Sequence, residues 1–273
     1  MTTPHLKSIT KLAGKRILVL GGTSGIGFAV AAAALEHGAL VVVSSSQLTN
    51  VENAVSRLKT AYPTDDFHSR ISGFTCDLGN PEKLEENILV LLKQSTTTAD
   101  GGQALLDHIV FTAGDSQMKF KPLKEATVDY IRDWGTVRFV APLILAKLVG
   151  PFIRPSHTST ITLTSGSGTK KPPPGWSLVA GYAGGIETMT RGLAVDLAPI
   201  RVNCILPGAV HTEFWDSAVG KEALDGALKQ YAEQTLVGHV GKPEDIAEAY
   251  IYVMKDNFCT GSSISNNGGS LLK

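Results

Sequence analysis

The sequence predicts a doubly wound α/β fold, with a parallel sheet of about seven strands and helices on both faces. Three observations carry that reading. Short all-aliphatic runs such as Ile17-Leu18-Val19-Leu20 and Leu40-Val41-Val42-Val43 suit strands buried on both sides of a parallel sheet. They alternate with longer segments of helical spacing. The runs end in glycines or small polar residues, as strand tips do when they line a crevice. At 273 residues there is enough chain for one large core, and no stretch has a linker's length or composition. The expectation is therefore a single domain over residues 1–273, with a short polar tail at 1–11.

Totals narrow the function classes. Twenty-five basic residues balance 25 acidic ones, so no global field points to nucleic acid or an anionic membrane. The first apolar run is four residues long before its glycines, too short for a signal peptide core or a membrane span. Cys76, Cys204 and Cys259 have neither metal-ligand spacing nor an even count and read as thiols in a reducing compartment. A cytoplasmic protein with no metal, no nucleic acid and no membrane partner is expected.

The first strand, at 17–20, turns through Gly21-Gly22-Thr23-Ser24-Gly25-Ile26-Gly27 into an Ala-rich helix. Such a turn offers free backbone N–H groups at the positive end of a helix dipole. Gly21 permits the tight turn, Gly25 lets a pyrophosphate approach, and Gly27 lets helix and strand pack closely. Thr23 and Ser24 add hydroxyls for phosphate or for capping, and the N–H of Ile26 faces the same anion. A dinucleotide site follows.

The second strand, at 40–43, runs into Ser44-Ser45-Ser46-Gln47, with no carboxylate before Glu52. An acid here would bind ribose hydroxyls and repel a 2′-phosphate. Neutral hydroxyls, with Asn50 as a further donor, favour NADP(H), although Arg57 is the first cation after the strand. The second helix is read at 51–60, from Val51, Ala54, Val55 and Leu58. A third strand at 71–75 precedes Cys76-Asp77-Leu78, where Asp77 either accepts from the adenine amine or caps a turn. Leu84, Ile88, Leu91 and Leu92 mark the third helix.

A fourth strand at 106–111 ends in Thr112-Ala113-Gly114-Asp115, small residues over which a cofactor can lie. A long amphipathic helix is read at 128–149, a fifth strand at 161–164, and a proline-stiffened loop at 165–175. Another long helix runs over 177–197, and a sixth strand at 201–206 ends at Pro207-Gly208. A substrate lid is expected at about 211–238. The last helix is read at 243–254 and the last strand at 262–265.

Taken together, these blocks resemble the short-chain dehydrogenase/reductase family, a Rossmann-type fold, from Leu12 to Gly269. The residues that carry the resemblance are Gly21 to Gly27, Cys76-Asp77-Leu78, Thr112-Ala113-Gly114, Thr190-Arg191-Gly192-Leu193-Ala194, Arg201-Val202-Asn203 through Pro207-Gly208 to Thr212, and Gly241 to Ala247. The resemblance implies that Pro207, Gly208, Val210 and Thr212 hold the nicotinamide half, with Ala113 and Gly114 beside its ribose. It also implies a homo-oligomer, a dimer or tetramer, through the helices at 128–149 and 177–197.

The family's chemistry uses a Tyr-x-x-x-Lys pair and a Ser, the Tyr giving a proton to the alkoxide left by hydride transfer. Aligned through Arg191-Gly192-Leu193-Ala194, the Tyr position holds Val179 and the Lys position Ala183. Tyr182 is out of register, with Ile186 four residues beyond. The Ser falls at Gly166, flanked by Ser165 and Ser167, and the helix Asn of the proton relay falls at Arg138. Losing a general acid forfeits on the order of 10²–10⁴ in rate where the product must be protonated. Carbonyl reduction is such a reaction, whereas reduction of an iminium needs an anion to hold its charge. Asp115 is the candidate: a carboxylate about 4 Å from a cation gains on the order of 4 kcal/mol at an effective dielectric near 20, roughly a thousandfold in rate. Arg138 either pairs with Asp115 or anchors a substrate oxygen.

The pattern looks like that of reductases in secondary-metabolite pathways, including reductase/Diels–Alderases of the malbrancheamide and paraherquamide type. Lys170-Lys171-Pro172-Pro173 stands where that branch has an acid. Trp176 is either a wall for an aromatic substrate or packing under the proline loop. An NADPH-dependent reductase of an iminium or activated C=C, acting on a bulky, partly aromatic small molecule, is the first expectation. A cyclase or isomerase keeping NADP(H) as a structural ligand, a carbonyl reductase with Tyr182, Lys170 or Lys171 as a displaced acid, and an inactive scaffold stand beside it.

Overall fold

A computed structural model of the chain describes residues 7–98, 100–114, 121–213 and 221–273. Seven parallel strands form one sheet: β1 (Arg16–Leu20), β2 (Leu40–Ser45), β3 (Ile71–Thr75), β4 (His108–Phe111), β5 (Thr160–Thr164), β6 (Arg201–Pro207) and β7 (Ser263–Asn266). Their order is β3-β2-β1-β4-β5-β6-β7, so the direction of winding reverses between β1 and β4. That reversal opens a crevice at the carboxyl ends of the two strands, where open α/β sheets take their ligands.

The aliphatic runs are buried on both faces because side chains alternate sides along a strand. Leu18 and Leu20 enter one core with α4 (Leu84–Thr96), α6 (Ala141–Leu148) and α7 (Ser177–Asp196). Ile17 and Val19 enter the other, with α1 (Gly25–Glu36), α2 (Leu48–Ala61) and α9 (Pro243–Lys255). α1 is apolar nearly all round because it lies between the sheet and α9, with Val30, Ala31, Ala34 and Leu35 fully buried.

Several boundaries differ from the sequence reading. α2 starts at Leu48, and a one-turn helix, α3 (Asp65–His68), follows it. β2 continues through Ser44 and Ser45, and β4 begins at His108. The helix expected at 128–149 is interrupted: α5 (Val128–Gly135) passes through a π-helical turn (Thr136–Val140) into α6. Pro142 explains the break, since it has no N–H and its ring crowds the carbonyl four residues back. That carbonyl belongs to Arg138. Within the expected lid, α8 spans Lys221–Glu233, while residues 214–220, with Phe214 and Trp215, lie outside the described residues.

At the amino ends of the central strands a buried polar cluster ties strand starts together. Asp107 accepts from the N–H of Arg16 at 3.0 Å, Lys15 Nζ at 3.1 Å and Arg154 Nε at 3.1 Å. Burial alone would raise its pKa, but these three donors together hold it below the usual carboxylate range. Its neighbour His108 is 1% exposed, and burial pushes its pKa down to about 3, helped by Arg201 and Lys15 against the pull of Asp107.

Candidate active site

The turn after β1 is sterically over-determined. Gly21 has φ 81° and its N–H donates to the carbonyl of Ser44 at 2.9 Å. A Cβ there would lie 2.6 Å from the backbone nitrogen of Ala113. At Gly27 a Cβ would lie 2.2 Å from the Gly21 carbonyl and 2.4 Å from Thr112 Oγ1. Thr112 Oγ1 donates to the Leu20 carbonyl at 3.0 Å, locking the tip of β4 to the turn. Three of the predicted cofactor contacts, Gly21, Ala113 and Gly114, are thus brought to one place.

Ser24 is the N-cap of α1, in extended backbone, and its hydroxyl makes no cap hydrogen bond, so it remains at the mouth of the turn with Thr23 and Ile26. The N–H of Gly25 donates instead to Glu213 Oε2 at 2.8 Å. A carboxylate thus takes the helix N-terminus in the position suited to an anion. The methyl of Thr212 packs on Gly25, since a Cβ there would lie 3.1 Å from Thr212 Cγ2. Val210 pairs with Gly241, and the N–H of Gly208 donates to Asn266 at 2.9 Å. The loop after Pro207 therefore folds back over the first helix, so both proposed halves of the cofactor site meet.

The adenosine end is sorted by exposure. Ser44 is 2% exposed and serves the turn through its carbonyl, which leaves Ser45, Ser46 and Asn50 as the more accessible polar residues. Asp77 realises the capping reading: its Oδ1 accepts from the N–H of Gly79 at 2.8 Å, and its carbonyl accepts from Asn87 Nδ2 at 2.8 Å. Leu78 is buried.

On the other side of the crevice, Ser165 Oγ donates to the carbonyl of Ala183 at 2.8 Å. This bond registers α7 against the tip of β5 and places position 183, with 179 one turn before it, beside the Ser165-Gly166 segment. Arg138, on the π turn, lays its guanidinium against Gly114, where a Cβ would meet Nη2 at 2.2 Å. Asp115 lies outside the described residues.

Tyr182 faces elsewhere. Its hydroxyl donates to the carbonyl of Ile131 at 2.8 Å, and its ring meets Phe139 edge-on at 5.8 Å and lies against Gly135. It joins α7 to α5, which removes the geometric basis for a displaced acid there. Trp176 lies over Gly168, where a Cβ would be 3.0 Å from its ring, so packing against the proline loop is the contact it makes. Lys170 Nζ is 2.6 Å from Glu187 Oε2, and Thr169 donates to the other oxygen. Glu187 is 4% exposed and pins that loop to α7. It was readable as the lone acid on a run of small and apolar residues, and sequence reasoning passed over it. Glu213 was missed because nothing local marks its contact with Gly25 across 188 residues, and Arg57, read only as the first cation after β2, was not connected to it.

Comparison with known proteins fits this geometry. The model described as "SDR-like rossmann domain" matches residues 8–273. The chain belongs to the short-chain dehydrogenase/reductase family. It is 42% identical over 270 residues to "Short-chain dehydrogenase/reductase malC" of Malbranchea aurantiaca, covering 99% of each chain. The solved structure of MalC Reductase/Diels-Alderase from that organism superposes with a TM-score of 0.90 over 97% of this chain and 100% of the other. The chain is also 40% identical over 267 residues to short-chain dehydrogenase/reductase fsr5 of Gibberella fujikuroi, covering 97% and 98%. A small-chain dehydrogenase solved with NADPH is 25% identical, TM-score 0.72, over 95% and 100%. The chain is accordingly an oxidoreductase of this family, and among the described residues no helix is long and apolar enough to cross a membrane.

Proposed function

We propose that the protein is an NADPH-dependent reductase of a cationic or activated C=N, or of an activated C=C, in secondary metabolism. One observation carries the reading: the Ser165–Ala183 hydrogen bond registers α7 beside β5, which supports the alignment that gives Val179 and Ala183 the positions of the family's Tyr and Lys. Neither can hold or move a proton. The coenzyme turn is meanwhile kept without a concession, and a carboxylate already sits on its anion-binding N–H. Support for NADP(H) comes from the serines after β2 and from family members solved with it.

When bound, NADPH supplies the hydride. The chain's own residues do the rest. Gly21, Gly25 and the amides opening α1 seat the phosphates; Thr212 and Val210 hold the nicotinamide half. Arg138 fixes a positive charge over Gly114 and orients a substrate oxygen. Asp115, next in the chain, is the proposed anion for an iminium. A bulky, partly aromatic small molecule is the proposed substrate, in a homo-oligomer of the reducing cytoplasm, where Cys76, Cys204 and Cys259 stay free thiols.

Ring closure within the same pocket is a second reading, favoured by the similarity to the 42% identical MalC Reductase/Diels-Alderase. Anaerobic stopped-flow following NADPH absorbance tests the first reading. Rapid oxidation with an iminium, and a rate at least about 100-fold lower with the matching ketone, is the expected result. Equal turnover of the two would overturn it.

A further inference from the structure

We infer that Arg57 reads the 2′-phosphate of the coenzyme, and that Glu213 is the resident counter-ion which this phosphate displaces. The inference rests on the NADP(H) reading above and supplies the cation that the serines after β2 lack.

Arg57 stands on the third turn of α2 and reaches toward the start of α1. Its guanidinium carbon lies 4.0 Å from the centroid of the Phe28 ring, on the first turn of that helix. The ring is a flat platform that orients a planar cation. Arg57 Nη2 is 3.6 Å from Glu213 Oε1, while Glu213 Oε2 takes the N–H of Gly25. One carboxylate thus bridges a helix N-terminal amide and a guanidinium. Amide and guanidinium together are a phosphate-binding pair.

The ion pair has little structural work to do. Its side chains are 53% and 52% exposed, and a pair so hydrated contributes little to stability. A phosphate dianion carries more charge and more acceptor oxygens than the carboxylate, so the 2′-phosphate wins the contest for the Arg57 guanidinium, while the Gly25 amide passes to the pyrophosphate. Ser24, exposed beside Gly25, and Ser46, exposed after β2, are further hydroxyl donors. The exchange also reaches the other end of the coenzyme. Glu213 follows Thr212, so releasing it frees the loop after β6 to settle on the nicotinamide half.

Calorimetric titration of NADPH and NADH into the wild type, R57A and E213Q tests this. The wild type should prefer NADPH. R57A should weaken NADPH by about 10- to 100-fold, the range for losing a charged hydrogen bond, and leave NADH within about twofold. E213Q should tighten NADPH several-fold, since it removes the competing charge but keeps the chain's shape. Equal weakening of both coenzymes by R57A would overturn the assignment, as would an R57A protein that keeps the wild-type preference. A wild type that binds neither coenzyme, or NADH as well as NADPH, would instead remove the coenzyme reading itself. If R57A does not fold, unchanged NADPH affinity in E213Q is enough to reject the exchange.

Discussion

The turn after β1 and the face of α7 line the same crevice under opposite constraints. At Gly27 an added Cβ would sit 2.2 Å from a backbone oxygen and at Gly21 2.6 Å from a backbone nitrogen. On α7, a Cβ at Gly181 or Gly184 would meet nothing within 4 Å among the described residues. The coenzyme cradle is held by backbone against backbone, so it survives only unchanged. Positions 179 and 183 of α7 are half-buried and tied to β5 through the Ser165–Ala183 hydrogen bond, so side chains there can be exchanged while the fold stands. That contrast is what the proposed reading requires: a nucleotide turn that resists change beside a helix face that admits it.

The harshest way to break the comparison is Gly27→Ala. With no flexible side chain able to yield, strand and helix must separate, and calorimetry should detect no coenzyme binding, with a stability loss of about 1–3 kcal/mol. If the variant binds normally, the cradle is looser than its geometry says.

Next is the double variant Val179→Tyr, Ala183→Lys. It should raise ketone or aldehyde turnover by about 10²-fold or more, within the range of general acid catalysis. The melting temperature should shift by only a few degrees, because both positions are half-buried rather than part of the core. No gain in turnover would mean that the face has lost more than the pair.

A third region sharpens the contrast, the polar cluster under the strand starts. His108 stays neutral in the folded state down to about pH 3, whereas the unfolded chain protonates it near 6.5. The unfolded state then binds the extra proton, so its contribution is intact above about pH 6.5 and lost as pH falls toward 3. The full loss is up to about 5 kcal/mol. Asp107, held below its usual range, adds a loss of the same sign at the acid end. Urea unfolding at pH 7 and pH 5 should show the fall, and His108→Gln should flatten it.

The smallest effect belongs to Gly184→Ala. A helical glycine in open space should gain about 0.5–1 kcal/mol on becoming alanine. A loss instead, with a change in sedimentation, would show that a second copy packs on this face.

What could be read from the residues follows from how local the cause is. The strands and the Gly21–Gly27 turn were legible because hydrophobic period and glycine spacing are encoded over a few neighbours. Pro142 was visible too, yet the helix around it was taken as unbroken, and the π turn that aims Arg138 at Gly114 was missed. Tyr182 stood out only as a tyrosine near the wrong register, and the Ile131 carbonyl that engages it is 51 residues away. Asp77 was legible as a cap because the cap is local. Glu213 on Gly25, and Arg57 on Phe28, are meetings of distant segments, and no pattern in either segment announces the other.

The strand order has a consequence for synthesis. β1 lies between β2 and β4, so the first-made strand becomes an interior one once residue 111 has emerged. The amino-terminal half can then build a sheet that already has its final edge strand, β3, while its other edge at β4 waits for β5. Each later strand joins the growing side in chain order, ending with β7. A ribosome that stalls late leaves a protein short of its last strand, while one that stalls just after residue 111 has emerged leaves β4, with Ile109, Val110 and Phe111, as an exposed edge for chaperones to cover.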